Sequence, residues 1–258
     1  MLTPVAARCH HVAGVTLRPL LSLLWVDLST PLTGDEQADV SAAEHRKASR
    51  FRCAHDRRRY LAAHAALRRT LAACGAGEAR SLHFRDNAWG KPGLQEPGDL
   101  HFNLSCSADI GLIGTSASRA IGVDVELMRP LPETAELVSE HFTLSERHEF
   151  ECLPPEERDR AFLVGWTRKE ACLKAIGVGL GAPPASVDVG LTGFSRRTRV
   201  IFGGRWYLLD LQSIAQGQDW VGAVAQVRCQ GPTPTRKTSP SCPASQQRIP
   251  ARSPPPAG

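Results

Sequence analysis

"IGVDVELMRP", residues 121–130, is the stretch on which the reading of this chain turns. Odd positions carry Ile121, Val123, Val125 and Leu127, all apolar and mostly β-branched, while even positions carry Gly122, Asp124, Glu126 and Met128. Side chains of a strand alternate between faces, so the spacing predicts a strand with one apolar face and with Asp124 and Glu126 side by side on the other. Their Cβ atoms would lie roughly 6.5–7 Å apart, two strand rises. Two like charges at that distance need compensation. Water on an exposed sheet face supplies it in one reading, and a shared cation in the other. Pro130 stops the strand.

Around this strand the chain reads as α+β. Residues 20–29, "LLSLLWVDLS", predict a buried strand with a polar exit. A helical pattern runs from Asp39 to Cys74, broken around "FRCAHD", with Leu61, Ala65 and Leu67 as an inward stripe on its second half. "SLHFRDNAWGKPGL" predicts a strand and a Gly/Pro turn, and "DLHFNLSCSADIGLIGTS" predicts two strands around a polar turn. Beyond residue 130 come helices separated near Thr143, then a strong helix entered at Pro155 and closed by Gly177. Strands follow at "VDVGL", "TRVIF", "WYLLDL" and "WVGAVAQV". Runs of strands apart from runs of helices favour α+β over a doubly wound sheet. The expected division is an N-terminal extension over residues 1–11, a first α+β lobe over 12–118, a second over 119–228 and a disordered Pro-rich tail over 229–258.

Charge supports that division and excludes one class of function. The net charge is +5, and the tail holds Arg236, Lys237, Arg248 and Arg252 with no acid. Five less four leaves about +1 for the body, which gives no footing for a nucleic-acid binder. The tail also holds eight of the nineteen prolines and almost nothing large and apolar to bury. The eight cysteines form no CxxC pair and no zinc-site spacing. The run "LLSLLWV" is too short to span a bilayer. A cytoplasmic chain with reduced thiols and no membrane segment is the expectation.

The second chemical signal lies on the helix "AFLVGWTRKEACLKAIG". Phe162, Leu163, Trp166, Leu173 and Ile176 have the spacing of a buried stripe, and Glu170 sits on or beside it. A carboxylate there is expensive unless paired or metal-bound. Lys174 follows by four and Lys169 adjoins, so a plain helical Glu–Lys pair accounts for the helix alone. If this helix packs on the Asp124/Glu126 strand, three carboxylates meet with two lysines at their edge. Three oxygen ligands suit Mg²⁺, which wants a phosphate to complete its shell. "WGKPGL", "NLSCS" and the Arg-rich helix offer further phosphate-binding groups.

GVDVE at 122–126 and WTRKEACLK at 166–174 resemble the two signature motifs of the 4′-phosphopantetheinyl transferase superfamily, and "WGKPGL" and "FNLSCS" extend the likeness in order. The length resembles its two-lobe, surfactin-type branch, whose lobes are related by a pseudo-two-fold axis. The resemblance implies transfer of the phosphopantetheine arm from coenzyme A to a serine of carrier proteins of fatty acid, polyketide or nonribosomal peptide synthases. It assigns Asp124, Glu126 and Glu170 to Mg²⁺ (or Mn²⁺), Glu170 also as general base, and Lys174 to the reacting phosphate. It assigns Lys47 and Arg59 to the coenzyme A phosphates and Lys91 and Ser105 to further contacts with coenzyme A, and Lys169 beside Lys174 suits the remaining phosphate charge. It further implies a monomer that meets carrier proteins and neither nucleic acid nor membrane. Two positions depart from the pattern: Glu44 stands where a basic residue is frequent, and Cys106 where His is usual. A binding module that holds coenzyme A or a carrier domain without turnover is the alternative these departures raise.

Overall fold

The structure is a computed structural model and describes residues 10–11, 21–96 and 98–233. Strand β1 (His10–His11) pairs with β2 (Leu21–Asp27). Helices α1 (Gly34–Asp39), α2 (Ala42–Ala48) and α3 (Ala54–Ala73) follow. Thr33 and Ser41 cap the first two, with Glu36 and Glu44 reaching back as capping-box partners. A small hairpin, β3 (Phe84–Asp86) and β4 (Pro92–Leu94), precedes β5 (His101–Ser107) and β6 (Ile110–Ser116). The second half opens on β7 (Ile121–Leu127) and continues with α4 (Thr134–His141), α5 (Leu144–Glu151) and the long α6 (Pro155–Ile176). It closes with β8 (Ser195–Phe202), β9 (Arg205–Gln216) and β10 (Trp220–Pro232).

Two four-stranded antiparallel sheets result, ordered β1-β2-β6-β5 and β7-β10-β9-β8. In each half a strand leads into helices and the chain returns to pair a late strand with it: β6 with β2, β10 with β7. Helix α3 buries Ala63, Leu67 and Leu71 among Val26, Phe102 and Ile113 of the first sheet. Helix α6 buries Ala171, Leu173 and Ala175 among Leu209, Leu211, Ala223 and Ala225 of the second. The apolar side chains of β7, Ile121, Val123 and Val125, pack on Leu23, Trp25 and Leu112 of the first half, so one core joins the two.

Three expectations change. The tail boundary moves, because β10 continues past Arg228: Cys229 to Pro232 pair with Leu208 to Arg205 of β9. The rest of the expected tail, from residue 234, lies outside the described residues, as do residues 1–9 of the expected N-terminal extension; His10 and His11 themselves join the first sheet. "VDVGL" is not a strand. Val187, Val189 and Leu191 are buried as the alternation predicts, but side chains take their backbone groups. Glu146 accepts from Val189 and Gly190 N–H, and Arg168 donates to the carbonyls of Gly190 and Thr192. A strand partner would have nothing left to bond there.

Candidate active site

The cluster predicted from residues 121–130 forms where the two halves meet. β5 and β7 are edge strands of separate sheets, and their facing groups are joined by side chains rather than by a ladder. Asn103 Oδ1 accepts from Val123 N at 2.8 Å, Ser105 Oγ donates to Asp124 Oδ1 at 2.7 Å, and Ser107 Oγ donates to Glu126 Oε2 at 2.8 Å. These three residues alternate along β5 and so share one of its faces. The other side of the cluster is α6. Its approach is set by Gly122, where a Cβ would stand 2.1 Å from Ala171 O and 2.3 Å from Ala175 N. Only glycine lets the helix backbone lie that close to the strand.

This packing decides between the two readings of the acid pair. Asp124 is 4% exposed, so its face is roofed by α6 and not bathed in water. Lys174 Nζ meets Asp124 Oδ1 at 2.6 Å and lies 3.3 Å from Ser105 Oγ. Its i,i+4 partner Glu170 is farther, at 3.8 Å, so the helical pair is the weaker of its two contacts. Burial pushes the Asp124 carboxyl up, against the pull of Lys174 and Ser105. Burial also raises Glu126, with Asp124 adding to it. Glu170 rises by burial, with Lys174 opposing and the charges of Asp124 and Glu126 adding. Three carboxylates thus sense one another across the β7–α6 contact. Asp124 Oδ2 is buried and, among the described residues, has no hydrogen-bond partner. As the side chains lie, no three His, Cys, Asp or Glu among the described residues are gathered closely enough to enclose a metal ion. The cation in contact with the acids is the Lys174 ammonium.

The remaining predicted residues divide. Ser105 belongs to the cluster. Lys47 lines a cleft of about 660 Å³ between α2, α3, the β3–β4 hairpin and β5, with its ammonium 5.5 Å from the centre of the Tyr60 ring. His64, Arg80, His83 and Asn103 line the same cleft, and Asn103 connects it to the seam. Arg59 is committed elsewhere, to Asp109 at 2.8 Å and Asp56 at 3.6 Å. Lys91 turns inward: its Nζ donates to Ile121 O at 2.8 Å and Ala175 O at 3.4 Å, and burial lowers it to about 8. It fastens the hairpin to the end of α6. Lys169 does not join the cluster. It is fully buried on another side of α6, bonded to Glu146 at 2.6 Å and to the carbonyls of Pro184 and Val187. Its adjacency to Glu170 in sequence misled, because neighbouring helix positions point about 100° apart.

Ser107 escaped the sequence reading, and so did the role of Glu44. Ser107 holds Glu126, and the signal for it was its place two residues beyond Ser105 on the same strand face. Glu44 is not a stray acid in a basic position. It is the capping-box residue of α2 and also binds His64 Nδ1 at 2.9 Å and Arg68 Nε at 2.8 Å. Burial opposes its ionisation, but the bonds from His64, Ser41 and Arg68 outweigh that and hold its carboxyl at about 2. The spacing Ser41-x-x-Glu44 announced the cap.

Known proteins resemble this chain in sequence. A family profile described as the 4′-phosphopantetheinyl transferase superfamily matches residues 120–225, from just before β7 into β10. The slr0495 protein of Synechocystis is 36% identical over 152 residues, 58% of this chain, which spans only 62% of that protein. The 4′-phosphopantetheinyl transferase HetI of Nostoc is 32% identical over 180 residues, covering 69% of this chain and 75% of HetI. A 4′-phosphopantetheinyl transferase of Bacillus subtilis is 28% identical over 175 residues, covering 66% and 77%. The chain belongs to the 4′-phosphopantetheinyl transferase superfamily.

Proposed function

We propose that this member of the superfamily transfers the 4′-phosphopantetheine arm of coenzyme A to a serine of acyl or peptidyl carrier proteins, releasing 3′,5′-ADP. The observation that carries the proposal is the convergence of Asp124, Glu126, Glu170 and Lys174 at the seam of the two halves. The donor set fits a hard divalent cation: three carboxylates made harder to ionise by burial, Glu126 and Glu170 also by neighbouring acids, with Asp124 Oδ2 buried and without a partner among the described residues. Mg²⁺ or Mn²⁺ held by Asp124, Glu126 and Glu170 would supply charge neutralisation for a pyrophosphate.

The chain's own groups do the rest. Glu170 takes the proton of the carrier serine, and the raised carboxyl makes it a better base than an exposed glutamate. The serine oxygen attacks the β-phosphorus, the bond from that phosphorus to the bridging oxygen breaks, and 3′,5′-ADP departs with the electron pair. Lys174 brings its ammonium to the phosphoryl oxygens as charge builds there. Positioning and neutralisation account for most of such a transfer. Lys47 and the cleft around it receive the nucleotide end of coenzyme A. Lys91 fastens to α6 the hairpin that walls this cleft, while Arg59 pairs with Asp109 and Lys169 with Glu146 away from it.

Each half contributes to the cluster from within one chain, which supports a monomer. Among the described residues six cysteines are free and no helix is long and apolar enough to cross a membrane. Free thiols and the use of coenzyme A support a cytoplasmic setting. Incubating the protein with an apo-carrier, coenzyme A and Mg²⁺ tests the proposal. The carrier is expected to gain the mass of one phosphopantetheine arm on its serine, and to gain nothing in EDTA. An unmodified carrier with Mg²⁺ present would overturn it.

A further inference from the structure

The serines of β5 sort the oxygens of the acid pair. Ser107 Oγ accepts from Leu127 N at 3.2 Å, and a hydroxyl has a single proton to give. That proton therefore goes to Glu126 Oε2, 2.8 Å away. Ser105 is arranged alike. Its oxygen faces the Lys174 ammonium at 3.3 Å, so its proton goes to Asp124 Oδ1 at 2.7 Å. Asn103, next on the same face, takes Val123 N and fixes the register of β5 against β7. One oxygen of each carboxylate is thus tied to the first half of the molecule. The other oxygen of Asp124 is the one left buried without a partner among the described residues.

We propose that Ser107 is a positioning residue for the cation site: anchored by the Leu127 backbone N–H, it holds Glu126 Oε2 and leaves Glu126 Oε1 to a divalent cation on the strand face that also carries Asp124. The inference rests on the metal reading above. The serine works through the carboxylate it holds and touches neither metal nor substrate. Hydrogen bonds of this kind, one step out from a ligand, are worth roughly ten- to a hundredfold in metal affinity.

The test is direct Mn²⁺ binding to the full chain without coenzyme A, followed by electron paramagnetic resonance of free Mn²⁺, for wild type, Ser107→Ala and Ser107→Thr. Ser107→Ala is expected to weaken Mn²⁺ binding about tenfold or more, with little change in melting temperature and with kcat approaching wild type once Mn²⁺ saturates. Ser107→Thr keeps the hydroxyl and is expected to return to within about threefold of wild type. Equal Mn²⁺ affinity in Ser107→Ala and wild type would overturn the positioning role. So would a loss that Ser107→Thr fails to restore. Failure of wild type itself to bind Mn²⁺, with carrier modification persisting in EDTA, would instead overturn the metal reading.

Discussion

Replacing Gly122 by alanine is expected to disable the site without touching any polar group in it. Gly122, the second residue of β7, lies opposite Ala225 outside the left-handed region, so alanine meets no conformational penalty there. The obstacle is α6. The new Cβ would stand 2.1 Å from Ala171 O, and ordinary contact begins at 3.4 Å, so helix and strand must part by about 3.4 − 2.1 = 1.3 Å. Both groups at the clash are backbone and cannot swing away. Glu170 precedes Ala171 and Lys174 precedes Ala175, so the retreating helix carries both off Asp124. The 2.6 Å contact between Lys174 and Asp124 would stretch toward 3.9 Å and cease to be a hydrogen bond. A displacement of about 1 Å can cost on the order of a hundredfold in rate. Overpacking of this kind costs about 1–3 kcal/mol, on the order of 2–12 °C in melting temperature for a chain of this size. Initial rates of carrier modification and a thermal melt read both effects. Gly34→Ala, at a glycine with nothing within 4 Å of the added carbon, is the control and is expected to match wild type. A Gly122→Ala protein with wild-type rate and melting temperature would refute the close helix–strand approach as the device that assembles the site.

Glu44 predicts an acid limb of stability. Its carboxyl titrates at about 2 when folded against 4.5 in the unfolded chain, so its contribution is full above pH 4.5 and is lost as pH falls toward 2. The shift corresponds to about 3 kcal/mol. Denaturant unfolding is expected to show wild type losing that much more than Glu44→Gln between pH 5 and 2, and parallel curves would contradict it. A chain ended after Thr233 is expected to keep its melting temperature and its activity on a free carrier. One ended after Arg228 loses the pairings of Cys229 to Pro232 and is expected to melt several degrees lower; equal melting would show the strand end to be idle. The family resemblance sets position 106 near the coenzyme A phosphates, and on that reading Cys106→His is expected to lower KM for coenzyme A about ten- to a hundredfold with kcat little changed, an imidazole N–H replacing a weak thiol donor. An unchanged KM would show that this chain grips its substrate without that position.

The strand at 121–127 and the helix ending at Gly177 were legible because each carries its own period and its own stop. The meeting of Asp124, Glu126 and Glu170 was legible only in part: each motif alone admitted a plain reading, an exposed sheet face or a helical Glu–Lys pair, and the packing of α6 on β7 is a contact that neither stretch announces by itself. What stayed hidden depends on contacts across the chain. Lys169 and Glu146 lie 23 residues apart, and nothing local announces that they bury together. The backbone of 187–191 was taken by Arg168 and Glu146, which an alternating apolar pattern cannot foretell. Arg59 and Lys91 were assigned by likeness, and their charges are used by Asp109 and by the carbonyls of Ile121 and Ala175.

The most direct test of the central claim is the rate of carrier mass gain with Glu170→Gln, measured beside wild type at saturating coenzyme A, carrier and Mg²⁺. Glutamine keeps the size and hydrogen-bonding shape of the side chain but can neither take the serine proton nor offer a charged oxygen to the cation. General-base catalysis alone contributes about 10²–10⁴-fold. The expected result is a folded protein, melting near wild type, whose carrier gains the phosphopantetheine mass at least a hundredfold more slowly. Transfer within tenfold of wild type would contradict the assignment of the chemistry to this cluster.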